Sequence, residues 1–285
     1  MQNGDMVKET SAENVLNLQN SMQNAVDDEM SSAESQLERA TEALRGLVLR
    51  GTFRTDVKLP EARVAELLAV SRTPARLAMA ALERDGLLVR LPRRGFRVRS
   101  FSLDEVVAAI EVRGELEAVA ARLVAEKGLE ASFAARMQAC IARAEALLAL
   151  PALEAAQRRD WCDMNSAFHA ALVEASGVRP LSAAYAQVNL VPLAAPRDTI
   201  FNVAEPELGH RQLMVAHEDH VRILRTLIDR HSTRAAALMR EHACRSGENK
   251  RRNFPRIDMR TMVIETPGVA LIKDERHGDP GDSPV

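Results

Sequence analysis

The sequence lacks several features that would each mark a class of protein. Aromatic residues make up only 3% of the 285 residues, which disfavours the sandwich and barrel folds that depend on strand-forming side chains. There are three cysteines, Cys140, Cys162 and Cys244, and an odd, scattered set argues against a disulfide framework or a thiolate metal cluster. We therefore expect reduced, buried thiols.

Long apolar runs are missing as well. None reaches the roughly 18 residues of a membrane span, and the polar, acidic start of the chain is unlike a secretory signal. These absences predict a soluble, cytoplasmic protein with no membrane association. The formal net charge is only -2. A cluster of cations in one segment therefore does not reflect the overall composition and indicates a function of that segment.

The residues that are present favour helices in more than one domain. Apolar residues make up 46% of the chain, and Ala, Leu, Arg and Glu are abundant. Residues 1–34 are acidic and have little to bury, so we predict a disordered N-terminal extension. Residues 255–285 carry scattered Pro and Gly and predict an irregular C-terminal tail. The patterns between them divide into two domains, 35–100 and 101–254.

Residues 35–100 predict three helices followed by a hairpin. "LERATEALRGLVLRG" places its apolar residues on one helix face and ends at Gly51. That face consists of Leu37, Ala40, Leu44, Leu47 and Val48. A short helix follows at 60–68, and Ser71 caps a third helix that has Pro74 in its first turn. "LLVRL" and "FRVR" then flank "PRRG", which is typical of two short strands joined by a turn.

Part of this domain is strongly cationic, because residues 70–99 contain eight arginines against two acids. Arg72 and Arg76 lie four residues apart and share one face at the start of the third helix. Ser71 and Thr73 add hydroxyl groups near the positive end of the same helix dipole. A helix N-terminus of this kind can present side chains to base edges in the major groove while flanking cations bind phosphates. The pattern predicts a double-stranded DNA operator as partner.

The hairpin supplies a second cationic element. Arg93 and Arg94 lie at its tip, where they can reach a minor groove or the adjacent backbone, and Gly95 permits close approach. The alternative is a solvated arginine surface with salt bridges to Glu83 and Asp85. The joint order of three helices, a capped third helix and an arginine-tipped hairpin is more restrictive than a charged surface and favours DNA binding.

The chain from residue 103 to about 254 predicts helices and no strand. Gly, Pro or polar breaks separate six long helical patterns. These predicted helices are 104–126, 132–149, 155–176, 181–201, 207–230 and 233–252.

Three histidines of this helical domain have a spacing that suits metal ligands. Asn165 and His169 are four residues apart on one helix face, and His220 and His242 each lie eleven residues from a turn near residue 231. The last two should therefore lie level in an antiparallel helix pair. Three imidazoles and an amide oxygen suit Zn, Ni or Fe, with open positions for water or an effector carboxylate. Taken singly, each histidine is equally explained as a core or surface residue.

An enzyme is the alternative function: a metal-dependent helical enzyme with an accessory DNA-binding domain. The "HEDH" motif at His217 lacks the His-Glu-x-x-His spacing of metalloproteases, and no nucleophile and base stand at a recognisable spacing. We therefore expect no enzymatic activity. A constitutive architectural DNA-binding protein is a third possibility, but it would need no buried polar cluster.

The segment "LPEARVAELLAVSRTPARLAMAALERDGLLVRLPRRGFRV" resembles the winged helix-turn-helix of GntR-type bacterial transcription regulators. Their typical core is Leu-Ala-x-x-Leu-x-Val-Ser-Arg-Thr-Pro-Val-Arg, from which this chain departs mildly at Val64 and Ala75. The resemblance implies a mainly α fold with a small β-hairpin wing in the N-terminal domain. It also implies DNA contacts at Arg72, Thr73, Arg76, Arg93, Arg94 and Gly95.

The second domain resembles the all-helical FCD ligand-binding module of the FadR subgroup. "IEVRGELEAVAARLVAEKG" is similar to its opening helix, "NSAFHAALVEASGVRPL" to its first ligand segment, and "HEDHVRILRTLIDRHSTRAAALMREHA" to its closing pair. That family commonly binds metal through Asp, His, His and His. Asn165 stands here where Asp is usual, which removes a negative charge and weakens the fourth ligand. The imidazoles could bind the effector without a metal.

The resemblance further implies a role for Arg113 and the nature of the effector. Arg113 matches an arginine that reaches into the cavity and can clamp a carboxylate, whereas a surface pair with Glu117 is the alternative. The residues are closest to the branch of vanillate-responsive repressors, so we expect a small organic or aromatic carboxylate as effector. The protein is expected to be a homodimeric repressor that reads an inverted repeat.

Overall fold

A computed structural model describes residues 36–55, 57–92, 95–256 and 266–273. The predicted N-terminal extension lies outside these residues, as does most of the predicted tail. Within the described ranges, no helix combines the length and the apolar character that crossing a membrane requires.

The N-terminal part contains the three predicted helices. Helix α1 covers residues 36–49, α2 covers Glu61–Leu68 and α3 covers Arg72–Arg84. The predicted apolar face of α1 is buried, with Leu44 and Val48 fully removed from solvent. Helices α2 and α3 pack against it in one apolar core.

Glycines end two of these helices where the chain turns left-handed. Gly51 follows α1 with a φ of 71° and Gly86 follows α3 with a φ of 77°, a region that glycine enters without steric cost. Ser71 is the residue before α3, as predicted, but its side chain makes no capping hydrogen bond. Its hydroxyl group is therefore exposed and available to a partner.

The wing is a three-stranded antiparallel sheet, one strand more than the sequence predicts. Strands β2 (Leu88–Arg90) and β3 (Phe96–Val98) form the predicted hairpin, and β1 (Lys58–Leu59) pairs with the other side of β3. Strand β1 has only two residues, too few for an alternating pattern to be visible in sequence. Leu59 and Arg90 both stand opposite Phe96.

The second part is all-helical, as predicted, and its described residues contain no strand between 103 and 254. Most helix boundaries agree with the predictions within two residues. The helices are α4 (Leu103–Lys127), α5 (Ala131–Leu148), α6 (Ala155–Ser176), α7 (Arg179–Val188), α8 (Pro206–Ile228) and α9 (Ser232–Asn253).

One helix prediction is wrong. The helix predicted at 181–201 ends at Val188 and gives way to a series of turns. Pro192 and Pro196 lack the amide hydrogen that a helix needs and disfavour helical backbone in the residue before them. Leu193, between the two prolines, adopts a left-handed conformation with a φ of 64°. We call residues 191–200 the turn segment.

The two parts are joined without a flexible linker. Only four residues, 99–102, lie between the end of β3 at Val98 and the start of helix α4 at Leu103. Ser102 accepts from the backbone N–H of Glu105 while the Glu105 carboxylate accepts from the Ser102 N–H, which forms a complete capping box. Arg99 also pairs with Glu105 at 2.6 Å, so the connection is held on both sides of the helix start.

Two further segments contribute to the junction. Residues 266–273, which the sequence places in the tail, pass beside the connection, where the Phe101 N–H donates to Leu271 and the Lys273 N–H donates to Phe101. Leu193 and Ile200 of the turn segment belong to the same apolar core as α1. The helical part therefore shares its packing with the winged part.

Helices α4 and α9 are the most closely packed pair of the helical part. A Cβ added to Gly114 of α4 would lie 2.3 Å from the Cβ of Ala243 in α9. Only glycine permits this approach, which brings the interior-facing side chains of both helices into one site.

Candidate functional site

The start of α3 presents the predicted DNA-contacting side chains to solvent. Ser71, Arg72, Thr73 and Arg76 are all exposed. Within the described ranges, no carboxylate oxygen lies within 4.0 Å of the Arg72 or Arg76 guanidinium groups. Both cations are therefore free to meet phosphates or bases.

The alternative of a salt-bridged arginine surface holds in part, for Arg90 of the wing, but not for Arg72 and Arg76. Glu83 pairs with Arg90 of the wing at 2.6 Å, and Asp85 pairs with Arg45 of α1 at 2.5 Å. These acids thus stabilise the junctions of α3 with its neighbours and leave the cations of its first turn unpaired.

The wing tip is described only in part. Arg93 and Arg94 lie outside the described residues. Gly95 has a φ of 113°, and a Cβ added there would approach the Lys58 side chain to 2.8 Å. The backbone conformation therefore favours glycine at this position, directly before β3.

Three histidines meet inside the helical part as their spacing predicts. His169 of α6, His220 of α8 and His242 of α9 are buried, and one ring nitrogen of each lies within 4.8 Å of the others. The rings of His220 and His242 have centroids 4.8 Å apart, which places them level across the α8–α9 pair. The His220 ring also stacks on Phe168 at 4.2 Å.

Carboxylates behind two of the rings fix their orientation. Nδ1 of His169 lies 2.7 Å from Glu117, and Nδ1 of His242 lies 3.4 Å from Asp219. Each carboxylate is in turn paired with an arginine, Arg113 at 3.6 Å and Arg245 at 2.7 Å. A carboxylate on Nδ1 selects the tautomer whose Nε2 is free to bind a metal.

Two ring nitrogens of the cluster have no hydrogen-bond partner among the described residues. Nε2 of His169 and Nε2 of His220 are buried without a hydrogen bond among the described residues. Buried polar atoms normally have a partner. The donor set therefore fits a divalent transition metal, which histidine nitrogens commonly bind.

Burial favours the uncharged form of two of these imidazoles, those of His169 and His220. It lowers the pKa of His169 and, together with the neighbouring histidines, lowers the pKa of His220 well below its usual value. Burial alone would raise the pKa of Glu117, but His169 and Arg113 outweigh it and hold that pKa below its usual range. Neutral imidazole is the form that binds metal.

A cavity of about 80 Å³ opens beside the cluster. Asn165 and His242 line it, as does Trp161, the only tryptophan of the chain. A wider cavity of about 620 Å³ lies next to it and shares Phe201 and Leu213 as a dividing wall. His169 and His220 do not line either of these two cavities and lie behind His242.

Arg113 and Asn165 both donate to the turn segment. Arg113 is 2% exposed, so the alternative of a surface pair with Glu117 is wrong, although the pair itself exists inside the protein. Its Nη1 donates to the carbonyl oxygen of Ala194. Asn165 donates through Nδ2 to Pro196 at 2.7 Å, which leaves its Oδ1 for the cavity.

Sequence reasoning missed a buried lysine of the same site. Lys250 of α9 lines the cavity, is 5% exposed and donates to the carbonyl oxygen of Asp198. Burial lowers the pKa of Lys250 to about 8, with Asp198 opposing the shift. Its position eight residues after His242 places it on the same helix face, a signal hidden in sequence by the cationic run "NKRR".

A DNA-reading winged helix joined to a buried, ligand-accessible helical site defines a one-component transcriptional regulator. Comparisons with known proteins agree with this class. Residues 36–98 match the family described as bacterial regulatory proteins, gntR family, and residues 108–244 match the FCD domain. The chain belongs to the GntR family and is a transcriptional regulator, not an enzyme.

Two curated relatives support the assignment. The HTH-type transcriptional repressor GlaR of Escherichia coli K12 is 27% identical over 201 residues, which cover 70% of this chain and 88% of GlaR. A regulator from the TAR-I ttuE-ttuC' intergenic region of Agrobacterium vitis is 33% identical over 147 residues, covering 51% of this chain and 83% of the relative.

Solved structures share the fold. E. coli McbR/YncC aligns with a TM-score of 0.54 and 19% identity over 77% of this chain and 98% of its own. Lar, which controls the expression of the Listeria monocytogenes agr system, aligns with a TM-score of 0.54 and 16% identity over 76% and 96%. At such identities the likeness establishes the fold alone.

The buried charge of Lys250 should cost the protein stability. Its folded pKa of about 8 lies below the ordinary value of 10.5, so the penalty is present in full below pH 8 and disappears as pH rises to 10.5. We expect Lys250→Met to raise the free energy of unfolding at pH 7 by about 1–3 kcal/mol. This gain is smaller than the free energy that corresponds to the whole pKa shift, because the variant also loses the hydrogen bond to Asp198.

Urea denaturation at pH 7 and at rising pH measures this difference. Lys127→Met is the matched control, because Lys127 is exposed and donates to a backbone carbonyl, that of Ser176 at 3.5 Å. A destabilised Lys250→Met variant, or a gain that persists at pH 10.5, would contradict the assignment.

Proposed function

We propose that the protein is a homodimeric repressor that releases operator DNA when its helical domain binds a short organic acid. The proposal depends on two features of one chain. Unpaired cations lie at the start of α3, and three buried imidazoles form a cluster in which His242 lines a cavity and His169 and His220 each have a nitrogen without a hydrogen bond among the described residues. A constitutive architectural DNA-binding protein would have no need of the second feature.

The proposed DNA contacts are those predicted from the sequence. The exposed first turn of α3 carries Ser71, Arg72, Thr73 and Arg76, and the wing carries Arg93, Arg94 and Gly95. Two such domains in a dimer would read two half-sites about one helical turn apart. Operator DNA lies in the bacterial cytoplasm, where we infer that the protein acts.

The size of the cavity favours a short aliphatic acid over an aromatic one. An enclosed cavity of roughly 150 Å³ accommodates benzene, and the cavity beside the histidines has about 80 Å³. An aromatic acid would need the wall at Phe201 and Leu213 to open toward the wider cavity. We propose Arg113, Asn165, His169, His220 and His242 as the effector-binding group, acting around the imidazole cluster.

The proposed cofactor is a divalent transition metal, Zn, Ni or Fe. His169, His220 and His242 would hold it, with the Asn165 amide oxygen as a weaker fourth ligand. When bound, the metal supplies a Lewis-acidic centre for an effector carboxylate. The protein itself orients two of the imidazoles through Glu117 and Asp219 and keeps all three in an apolar interior.

The proposal is tested by selecting genomic fragments that the protein binds and then adding acids. Acetate, propionate and malonate should release the selected fragment in a mobility-shift titration, and vanillate should do so less readily. A change in the fluorescence of Trp161, which is buried and lines the cavity, should accompany binding. Failure to prefer any fragment over bulk DNA would overturn the regulator; failure of every acid would overturn the effector class.

Arg72→Ala should weaken binding to the selected fragment by about 1–3 kcal/mol if the side chain reads a guanine. Arg84→Ala is the control, because it removes the same charge from the exposed opposite end of α3. The affinity of both variants for the fragment is measured by mobility shift at fixed salt. If both lose the same affinity, Arg72 contributes only through the overall charge of the protein and makes no specific contact.

His220→Ala should abolish bound metal without abolishing DNA binding, because it removes one of three nitrogen ligands far from α3. Elemental analysis after dialysis against zinc measures the first effect, and mobility shift the second. His231→Ala, at an exposed position before α9, should retain the metal. A His220→Ala variant that still binds zinc at the wild-type ratio would exclude this site.

A further inference from the structure

The turn segment is held by hydrogen-bond donors from three different helices. Arg113 of α4 donates to the carbonyl of Ala194, Asn165 of α6 to that of Pro196, and Lys250 of α9 to that of Asp198. Every second carbonyl from 194 to 198 is therefore bound by a side chain from the site. These contacts connect the effector-binding region to a segment that has no regular structure of its own.

The other side of the turn segment packs against the DNA-binding part. Leu193, Ala194 and Ile200 belong to the same apolar core as Leu44 and Val48 of α1. A Cβ added to Gly268 would lie 2.9 Å from the Pro192 side chain. The described part of the tail therefore packs closely against the turn segment. A shift of the segment would thus alter the packing under the winged helix.

The three donors differ in how their charge is balanced. Asn165 is neutral, and Arg113 has Glu117 at 3.6 Å. Lys250 is buried, and its Nζ forms no salt bridge within 4.0 Å among the described residues. The Asp198 carboxylate, which also lines the cavity, interacts with it electrostatically and partly offsets the effect of burial on the Lys250 pKa. Two of its three N–H donors have no hydrogen bond among the described residues. A buried ammonium in this state favours an anion.

We propose that Lys250 is an effector-binding residue. Its ammonium donates to a carboxylate of a short aliphatic acid in place of the carbonyl of Asp198. The loss of the bond to Asp198 then loosens the turn segment beneath the DNA-binding part. A carboxylate is the stronger acceptor of the two, because its full negative charge adds an attraction between ions to a hydrogen bond that the ammonium already makes charge-assisted. Lys250 lines the cavity beside the histidines, so the acid reaches it without crossing the protein interior. The inference rests on the proposed function and names the protein group that binds the acid.

Malonate is the probe for this test, since it is small and doubly charged. The full-length protein is treated with EDTA, so that no metal competes for the acid, and titrated while the fluorescence of Trp161 is recorded. We expect saturable binding to the wild type and a loss of at least about tenfold in Lys250→Met, the size of one charge-assisted hydrogen bond. Lys127→Met should bind as the wild type does.

Hydrogen exchange measures the second half of the proposal. Malonate should speed the exchange of backbone amides in residues 191–200 of the wild type and leave them unchanged in Lys250→Met. The variant is expected to be folded, since it removes a buried charge, and unfolding by urea verifies this.

Three results would overturn the inference: no saturable binding of malonate to the wild type, equal affinity in Lys250→Met, or unchanged exchange in the turn segment of the malonate-bound wild type. These outcomes are separable from failure of the proposed function. Binding through Lys250 without release of operator DNA by any acid would leave the site in place and overturn the acid-responsive repressor.

Discussion

A carboxylate buried at the centre of the helical part sets the arrangement of the groups around it. Glu117 has no exposed surface, and an ion in that position is tolerated only where cations and hydrogen-bond donors compensate its lost hydration. His169 and Arg113 provide that compensation from α6 and α4. The ring of His169 is thereby oriented toward His220 and His242, and Arg113 is held where it can reach Ala194. The position of one acid thus determines the geometry of the imidazole cluster and one attachment of the turn segment.

The polar site and the apolar core are therefore connected parts of one structure. On the interior side, backbone carbonyls of the turn segment accept from Arg113, Asn165 and Lys250. On the other side, its apolar side chains fill the core beneath α1. Backbone groups that are not in a helix or strand must find partners elsewhere. Here the partners are the buried Arg113 and two side chains that line the cavity, those of Asn165 and Lys250. A change in how those side chains are paired has a direct physical route to the domain that reads DNA.

The sequence was sufficient to predict the elements whose signals are local or periodic. Neighbours along the chain determine these signals. They include the helical periods, the glycines that end α1 and α3, and the equal distance of His220 and His242 from the turn between them. The error at α7 has a local cause too, since Pro192 and Pro196 outweigh the apolar pattern around them. Glu117 and Lys250 could not be assigned in this way, because their roles depend on contacts across helices. Beside Arg113 in sequence, Glu117 has the spacing of an ordinary surface pair, and only the packing of α4 against α6 and α9 shows it to be buried.

The capping box at Ser102 has a consequence for the mechanics of regulation. Only four residues separate the wing from α4, and the first turn of α4 is fixed by reciprocal hydrogen bonds. The winged part is therefore attached rigidly to the start of α4. The winged part cannot rotate freely on a flexible linker. Motion of the helical part would reach the wing through this fixed connection at the start of α4.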